Sequence, residues 1–240
     1  MTPRPLVESA PIVLRVASQR GLLHRLRPAL LRPPILACLT FLLLITLAAL
    51  LIPILPVTDP ASPSVIFRLK PPSGVHWLGT DRLGRDILSR VLWGSRVSLA
   101  VGIGVVAMSA AVGTLMGLIS GYYRNWLAQL VDRLTDILLA FPPLILAMVV
   151  VTILGQNLLN VMLAISVGSV PRFARLARAS ILSIRGRDYV EAARAVGAKA
   201  PTIMLRHVML NAVDPLIVAA TLLIPGAIIT EALLSFLGLG

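Results

Sequence analysis

The stretch that decides the fold is Asp188-Tyr189-Val190-Glu191-Ala192-Ala193-Arg194-Ala195-Val196-Gly197, which lies between two long apolar runs. Its first nine residues are good helix formers, and Gly197 favours the left-handed conformation that commonly ends a helix. Pro201 suits the first turn of a second helix, which is expected to run to about His207 or beyond. The pattern predicts two short helices held in water by membrane-spanning segments on either side.

This segment admits two interpretations. Ala192 and Ala193 make a flat, small surface beside the Glu191 carboxylate. A groove on another protein could pack closely against that surface and bind the carboxylate. An ordinary connecting hairpin, whose alanines merely favour helix, fits the local pattern equally well.

Composition places the chain among polytopic membrane proteins. Hydrophobic residues make up 57% of the 240 residues, charged residues 13%, and the mean hydropathy is +0.90. The net charge of +12 does not indicate nucleic acid, because aromatic residues are only 5% and the basic residues cluster between apolar runs. Those charges are expected to orient loops and to contact anionic headgroups of the lipid bilayer.

The sequence indicates neither an enzyme nor a bound cofactor. The single cysteine, Cys38, sits in an apolar run, and His24, His76 and His207 fall in separate segments without metal-ligand spacing. A GxxxxGK[ST] phosphate loop is missing from the sequence, so any ATP that drives the protein is expected to be hydrolysed on another polypeptide.

About five membrane-spanning helices are expected. A basic N-terminal tail (1–34) precedes the first span (35–57), an external segment covers 58–96, and a core covers 97–240 with a cytoplasmic loop at 172–211. Within the core, the expected spans are Val97–Ile119, two halves of Ile137–Pro171 separated at Gly155–Asn157, and about Asn211–Leu234. A cytoplasmic N-terminus puts sixteen of the 22 lysines and arginines inside, in agreement with the positive-inside rule.

Glycines and prolines mark sites of packing and bending. Gly113, Gly117 and Gly121 recur every fourth residue, so they predict close approach of a helix, either in this chain or in a second membrane subunit. Pro142-Pro143 and Pro225 are expected to kink their spans or to begin them.

Three groups of charged residues are further candidates. One cluster consists of Asp81, Arg82, Arg85 and Asp86, and it is expected to form an interfacial helix and turn with several ion pairs. Its role could be to close the outer gate, to contact a substrate-delivering protein, or to anchor the next span as a solvated segment. Asp132 and Asp136, one helical turn apart, either pair with the cytoplasmic loop or start a helix. Glu231 lies close to bilayer depth and is a candidate for the outer gate or for a contact with a partner subunit.

Several motifs together resemble a known family. Glu191-Ala192-Ala193, three residues, Gly197, and the tail from His207 to Asn211 look like the EAA loop of bacterial ATP-binding-cassette (ABC) importer permeases. The stretches His76–Leu99, Asp132–Pro142 and Glu231–Gly240 resemble the C-type permease of dipeptide, oligopeptide and nickel importers. The chain is therefore identified as a member of that family.

The resemblance implies an all-α, MetI-like permease fold in the bacterial plasma (inner) membrane. It implies a second homologous permease subunit, two ATPase subunits that dock on Glu191, Ala192, Ala193, Gly197, His207 and Asn211, and an extracytoplasmic substrate-binding protein. It also implies that family members continue past Gly240 to a sixth span. The alternatives are a secondary transporter, which would need ionisable groups near the midplane, and a membrane scaffold that does not transport.

Overall fold

The structure, a computed structural model, describes residues 32–54 and 59–240. The described residues divide into two units, with the boundary between Ala48 and Ala49. The helices are α1 (Pro33–Leu51), α2 (Ile87–Tyr122), α3 (Trp126–Ala140), α4 (Pro143–Leu154), α5 (Leu158–Ile184), α6 (Asp188–Ala195), α7 (Ala200–Thr202) and α8 (Leu210–Phe236). A π-helical segment, Ile203–Met209, joins α7 to α8, and a 3-10 turn covers Val65–Phe67. The all-α class implied by the family resemblance is confirmed for the described residues.

Three single helices are long and apolar enough to cross a membrane: α1, α2 and α8. Helices α3 and α4 meet the same test together, although they are bent by 97° where they join, and they give a fourth candidate span if counted as one. The expected span within α5 is not among them, because the uncharged stretch Leu158–Pro171 is followed by arginines in the second half of the helix. The count of five spans stays a prediction.

Helix α1 overlaps the first predicted span and begins two residues before it. The expected segment is 35–57, and the helix covers Pro33–Leu51. Residues 1–31 and 55–58 lie outside the described residues, and with them most of the basic N-terminal tail, including His24.

Helix α2 begins ten residues before the predicted span. Asp86 ends the preceding turn and caps the helix, because its carboxylate accepts a hydrogen bond from the backbone N–H of Leu88 at 3.1 Å. The helix then continues without a break through the boundary at residue 96, where the sequence suggested that an external segment ended. The expected interfacial helix over Asp81–Asp86 is therefore wrong: these residues form a turn, and helical structure starts only at Ile87.

The three glycines spaced four apart on α2 pack against α5 of the same chain. A Cβ added to Gly113 would lie 2.5 Å from the Cβ of Phe173, and one added to Gly117 would lie 2.4 Å from the carbonyl oxygen of Ala174. A Cβ on Gly121 would lie 3.1 Å from the Cβ of Ile181. Of the two interpretations open from the sequence, packing within the chain is the one that the structure shows.

The helix pair α3 and α4 begins at polar and proline signals. Asn125 caps α3 through a hydrogen bond from the backbone N–H of Ala128 at 3.1 Å, so Asp132 and Asp136 do not start this helix. Pro143 is the first residue of α4, where its missing N–H costs nothing. Pro225, in contrast, lies inside α8 and does not end it.

The polar turn predicted at Gly155–Asn157 is confirmed as the boundary between α4 and α5. Gly155 has a φ of 90°, and Asn157 caps α5 by accepting a hydrogen bond from the backbone N–H of Asn160 at 2.9 Å. The side chain of Asn160 donates back to the carbonyl oxygens of Leu154 and Gly155. Helix α5 then runs past Pro171, as expected.

Candidate functional site

The candidate coupling element consists of α6, Gly197, α7 and the π-helical segment. Helix α6 ends in a Schellman motif, in which Ala198 N–H donates to the carbonyl of Ala193 at 3.1 Å and Gly197 N–H donates to that of Arg194 at 2.9 Å. Gly197 has a φ of 81°, a conformation that residues with a Cβ rarely adopt. The helix, glycine stop and second helix expected from the sequence are confirmed, with the glycine in the predicted role.

Buried aliphatic side chains fix this element to the helical bundle. Val190, Ile203 and Val208 are at most 1% exposed, and they belong to one apolar cluster with Ile181 and Ile184 at the end of α5. Because a buried valine or isoleucine contributes about 1.5–3 kcal/mol, the element has a rigid base rather than the mobility of a surface loop.

The opposite face of the element is open. Glu191 and Ala192 are exposed, Ala193 is half-buried against the apolar cluster, and Val196 is 85% exposed. The structure thus brings the Glu191 carboxylate and a small apolar surface together on one fixed helix. Asn211 is exposed one residue into α8, and the side chain of His207 lies outside the described part of the chain.

The backbone is helical without interruption from the coupling element into α8. The sequence places a fresh start of the span near Asn211, but Ala200–Thr202, Ile203–Met209 and Leu210–Phe236 follow one another with no intervening loop. The π-helical segment accommodates one wide turn, a feature often found at functional sites. Nothing in the apolar periodicity distinguishes a π turn from an α turn, so the sequence could not reveal it.

Arg185, the C-cap of α5 just before the coupling element, contacts the end of α2. Its Nη1 donates to the carbonyl oxygens of Tyr122 at 3.0 Å and Gly121 at 3.2 Å, two groups that lack partners inside their own helix. Burial lowers the pKa of Arg185, and the positive charges of Arg124 and Arg194 lower it further. Arg185 was not singled out in the sequence.

Two ion pairs join α3 to α5. Asp132 contacts Arg178 and Asp136 contacts Arg175, each at 2.9 Å between carboxylate oxygen and guanidinium nitrogen. Both arginines lie within the expected loop 172–211, so the predicted pairing of the two aspartates with that segment is confirmed. The partners belong to its helical first part, α5, rather than to the coupling element itself.

The outer charged cluster is a tight turn around Asp81. Its carboxylate accepts hydrogen bonds from the backbone N–H groups of Leu83 at 2.8 Å and Arg85 at 2.9 Å, and pairs with the side chains of Arg85 and Arg90 at 2.9 and 2.7 Å. The backbone hydrogen bond from Arg85 is the largest cause that lowers the pKa of Asp81 from 3.8 to about 2. Gly84, with a φ of 75°, leaves no room for a Cβ, which would lie 1.8 Å from the carbonyl oxygen of Ser64.

The remaining gate candidates have separate surroundings. Arg82 is exposed, and its carbonyl accepts a hydrogen bond from the Nε of Arg68 at 2.8 Å. Asp86 caps α2 as described. Glu231 is half-buried on α8, and within residues 32–54 and 59–240 it forms no ion pair. The structure does not bring Glu231 together with the Asp81 turn.

A cavity of about 150 Å³ between the start of α4, α5 and α8 adds a residue that sequence reasoning missed. Arg172, Ser169 and Thr230 supply its polar groups, and Pro143 and Leu223 are among its apolar lining. Arg172 follows 14 uncharged residues of α5, which span about 21 Å of helix, so it lies short of the full hydrocarbon thickness. The sequence shows this arginine only 14 residues into the helix, but the prediction assigns Arg172 to the cytoplasmic loop 172–211.

Comparisons with known proteins agree with this architecture. Residues 113–240 match the family model described as binding-protein-dependent transport system inner membrane component. The glutathione transport system permease protein GsiD of Pectobacterium atrosepticum is 46% identical over 169 residues, which cover 70% of this chain and 56% of that protein. The dipeptide transport system permease protein DppC of Alkalihalophilus pseudofirmus is 43% identical over 194 residues, covering 81% of this chain and 64% of that protein.

Among solved structures, the MetNI methionine ABC transporter in an inward-facing conformation superimposes with a TM-score of 0.56 at 23% identity, covering 62% of this chain and 75% of the matched chain. That likeness concerns the fold, which is MetI-like as the sequence resemblance implies. The chain spans 56–64% of the length of the two curated relatives above. More than half of its residues match the family model, and the chain belongs to the family of binding-protein-dependent transport system inner membrane components.

Proposed function

We propose that this protein is a permease subunit of an ATP-binding-cassette importer in the bacterial plasma membrane, with a cytoplasmic N-terminus. It carries di- or oligopeptides, or a related small substrate such as glutathione, and the names of its relatives support that substrate class. A second homologous permease, two ATPase subunits and an extracytoplasmic binding protein complete the assembly. The chain itself does no covalent chemistry and holds no cofactor.

The observation that carries this proposal is the coupling element. Its outer face offers Glu191 and Ala192 to a partner, and its inner face is fixed by Val190, Ile203 and Val208 to the bundle. An exposed surface that is packed firmly against the bundle can transmit a displacement from a bound partner to the helices, whereas a mobile loop would absorb it.

Two routes lead from this element into the membrane. Helix α8 continues without a loop from the second half of the coupling element. Arg185, which ends α5 just before the element, donates to the last carbonyls of α2. When ATP closes the ATPase pair, the docked element moves as a lever and the spans rock between inward-open and outward-open states. The ion pairs of Asp132 and Asp136 carry α3 along with α5.

The test is a charge reversal on the docking face. Glu191→Arg places a cation where a carboxylate is expected to meet the ATPase groove, and at least a tenfold loss of co-purifying ATPase is expected for a broken interfacial charge pair. Asp59→Arg makes the same change of charge on an exposed carboxylate of the external segment and serves as the matched control.

Two readouts are needed. The first is the amount of ATPase subunit that co-purifies with the full chain from its native cells. The second is ATP-dependent uptake of labelled dipeptide and of labelled glutathione in cells. Wild-type levels of both in the Glu191→Arg variant would refute coupling through this face. Uptake that persists without any ATPase would indicate a secondary transporter instead.

A further inference from the structure

A polar cavity of about 280 Å³ lies where α2 ends and α3 begins, against the second half of α5. Three arginines from two segments line it: Arg124 from the α2–α3 connection, and Arg178 and Arg185 from the second half and the C-cap of α5. Asn125 and Gln129 add neutral polar groups. The cavity is separate from the exposed face of Glu191 and from the cavity lined by Arg172.

The charges around this cavity do not balance. Asp132 is the acidic residue in its lining, and its carboxylate is already paired with Nη1 of Arg178 at 2.9 Å. Arg185 donates to the carbonyls of Gly121 and Tyr122, which are uncharged partners. Arg124 is exposed and forms no ion pair with any residue of the described ranges.

The cavity also holds an unsatisfied donor. The Nε–H of Arg178 is buried and has no hydrogen-bond partner in the described part of the chain. A buried donor left without an acceptor costs free energy, and a charged one costs more. An acceptor-rich anion in the cavity would offset both this cost and the mutual repulsion of the arginines.

The position of the cavity indicates where that anion comes from. It sits at the end of the 36-residue helix α2, one of the membrane-spanning candidates. Tyr122, Tyr123 and Trp126 follow one another at this point, and Trp126 is 69% exposed. Tyrosine and tryptophan are enriched where a span meets the lipid headgroups, so this cavity lies at headgroup level.

We propose that Arg124, Arg178 and Arg185 form a binding site for the phosphate group of an anionic phospholipid. Arginine binds phosphate oxygens through paired, charge-assisted hydrogen bonds, and basic pockets between membrane helices are suited to such headgroups. The aromatic residues beside the cavity favour a lipid over a free phosphate ion, because the headgroup arrives with a glycerol and acyl chains that can lie against them. The bound lipid links the end of α2 to the end of α5, just before the coupling element.

Native mass spectrometry of the purified full chain, taken from nanodiscs of defined composition, tests this site. The chain is expected to retain phosphatidylglycerol in preference to phosphatidylcholine. Arg124→Gln removes one cation that forms no ion pair among the described residues, and retention of phosphatidylglycerol is expected to fall about fivefold to tenfold. Arg133→Gln is the matched control, since Arg133 is an exposed arginine on the following helix, α3, and does not line the cavity.

The outcomes separate the possible ligands. Loss of retention in Arg124→Gln with wild-type retention in Arg133→Gln supports the site. Equal losses in the two variants would mean that the lipid responds only to surface charge, which overturns it. Binding of inorganic phosphate without retention of phosphatidylglycerol would also overturn it, because the ligand would then be a soluble anion. The measurement does not involve transport, so its result is independent of the proposed importer function.

Discussion

Replacing Gly117 by alanine is expected to separate α2 from α5. The added Cβ would lie 2.4 Å from the carbonyl oxygen of Ala174, 2.5 Å from the Cβ of Ala177 and 2.9 Å from the backbone nitrogen of Arg178. All three atoms belong to the backbone or to a Cβ, so no side-chain rotation can move them away. The helices themselves must give way.

The size of the effect follows from these distances. Ordinary van der Waals contact begins near 3.4 Å, so the shortest of the three contacts falls about 1 Å short. Helices that move apart by this amount lose a quarter to a half of the dispersion energy at each atom pair, and overpacking typically costs about 1–3 kcal/mol. Alanine also favours the helix over glycine by about 0.5–1 kcal/mol, which hides part of the cost.

Gly94→Ala removes that ambiguity. Gly94 lies on the same helix, and a Cβ there meets no atom within 4 Å, so this variant shows the helix-propensity gain alone. The difference between the two variants in free energy of unfolding isolates the clash, and it is expected to be about 1–3 kcal/mol. Reversible unfolding of the full chain in micelles titrated with a denaturing detergent measures both. Equal free energies would refute the close packing of α2 on α5.

Two further predictions concern the turn around Asp81 and the glycine that ends α6. Since the folded-state pKa of Asp81 is lowered from 3.8 to about 2, this carboxylate stabilises the outer turn above about pH 4 and loses its contribution as the pH falls toward 2. The protection factor of the Arg85 amide, which is its exchange rate relative to the intrinsic rate at the same pH, should fall over that window in the wild type and not in Asp81→Asn, and an unchanged wild-type protection factor would contradict the assignment. Gly197→Ala forces a Cβ into a φ of 81° with no neighbour to clash, so it should loosen the end of α6 by about 1–2 kcal/mol. Exchange of the Ala198 amide reports this, and Gly186→Ala, which has open space and no positive φ, should leave it unchanged.

Local signals in the sequence predicted local structure well. Gly197 and Pro201 marked the end of α6 and the start of α7, and the polar turn before Leu158 divided α4 from α5. These positions are decided within a few residues by backbone conformation and capping, so no distant contact can override them.

Partners across the fold were only partly predictable. The glycines of α2 predicted close packing against another helix. Whether that helix belonged to this chain or to a second subunit depended on the position of α5. For Asp132 and Asp136 the sequence allowed either ion pairs or a place at the start of a helix. The ion pairs form because the register of α3 against α5 places the two carboxylates beside Arg178 and Arg175. Arg185 gave no signal, because its acceptors are backbone carbonyls 63 and 64 residues away.

The start of α8 shows how local sequence signals and packing across the fold act together. The sequence predicts a span whose core is Pro215–Thr230 and which its flanks extend to about Asn211 through Leu234. The backbone instead stays helical from Ala200 through Phe236, since Val208 and Ala212 are buried in the same cluster as Val190. Burial on one face holds the segment against the bundle and leaves no loop to absorb movement. A displacement applied at α6 therefore reaches α8 through packed side chains and continuous helix, which is the mechanical requirement for a coupling element.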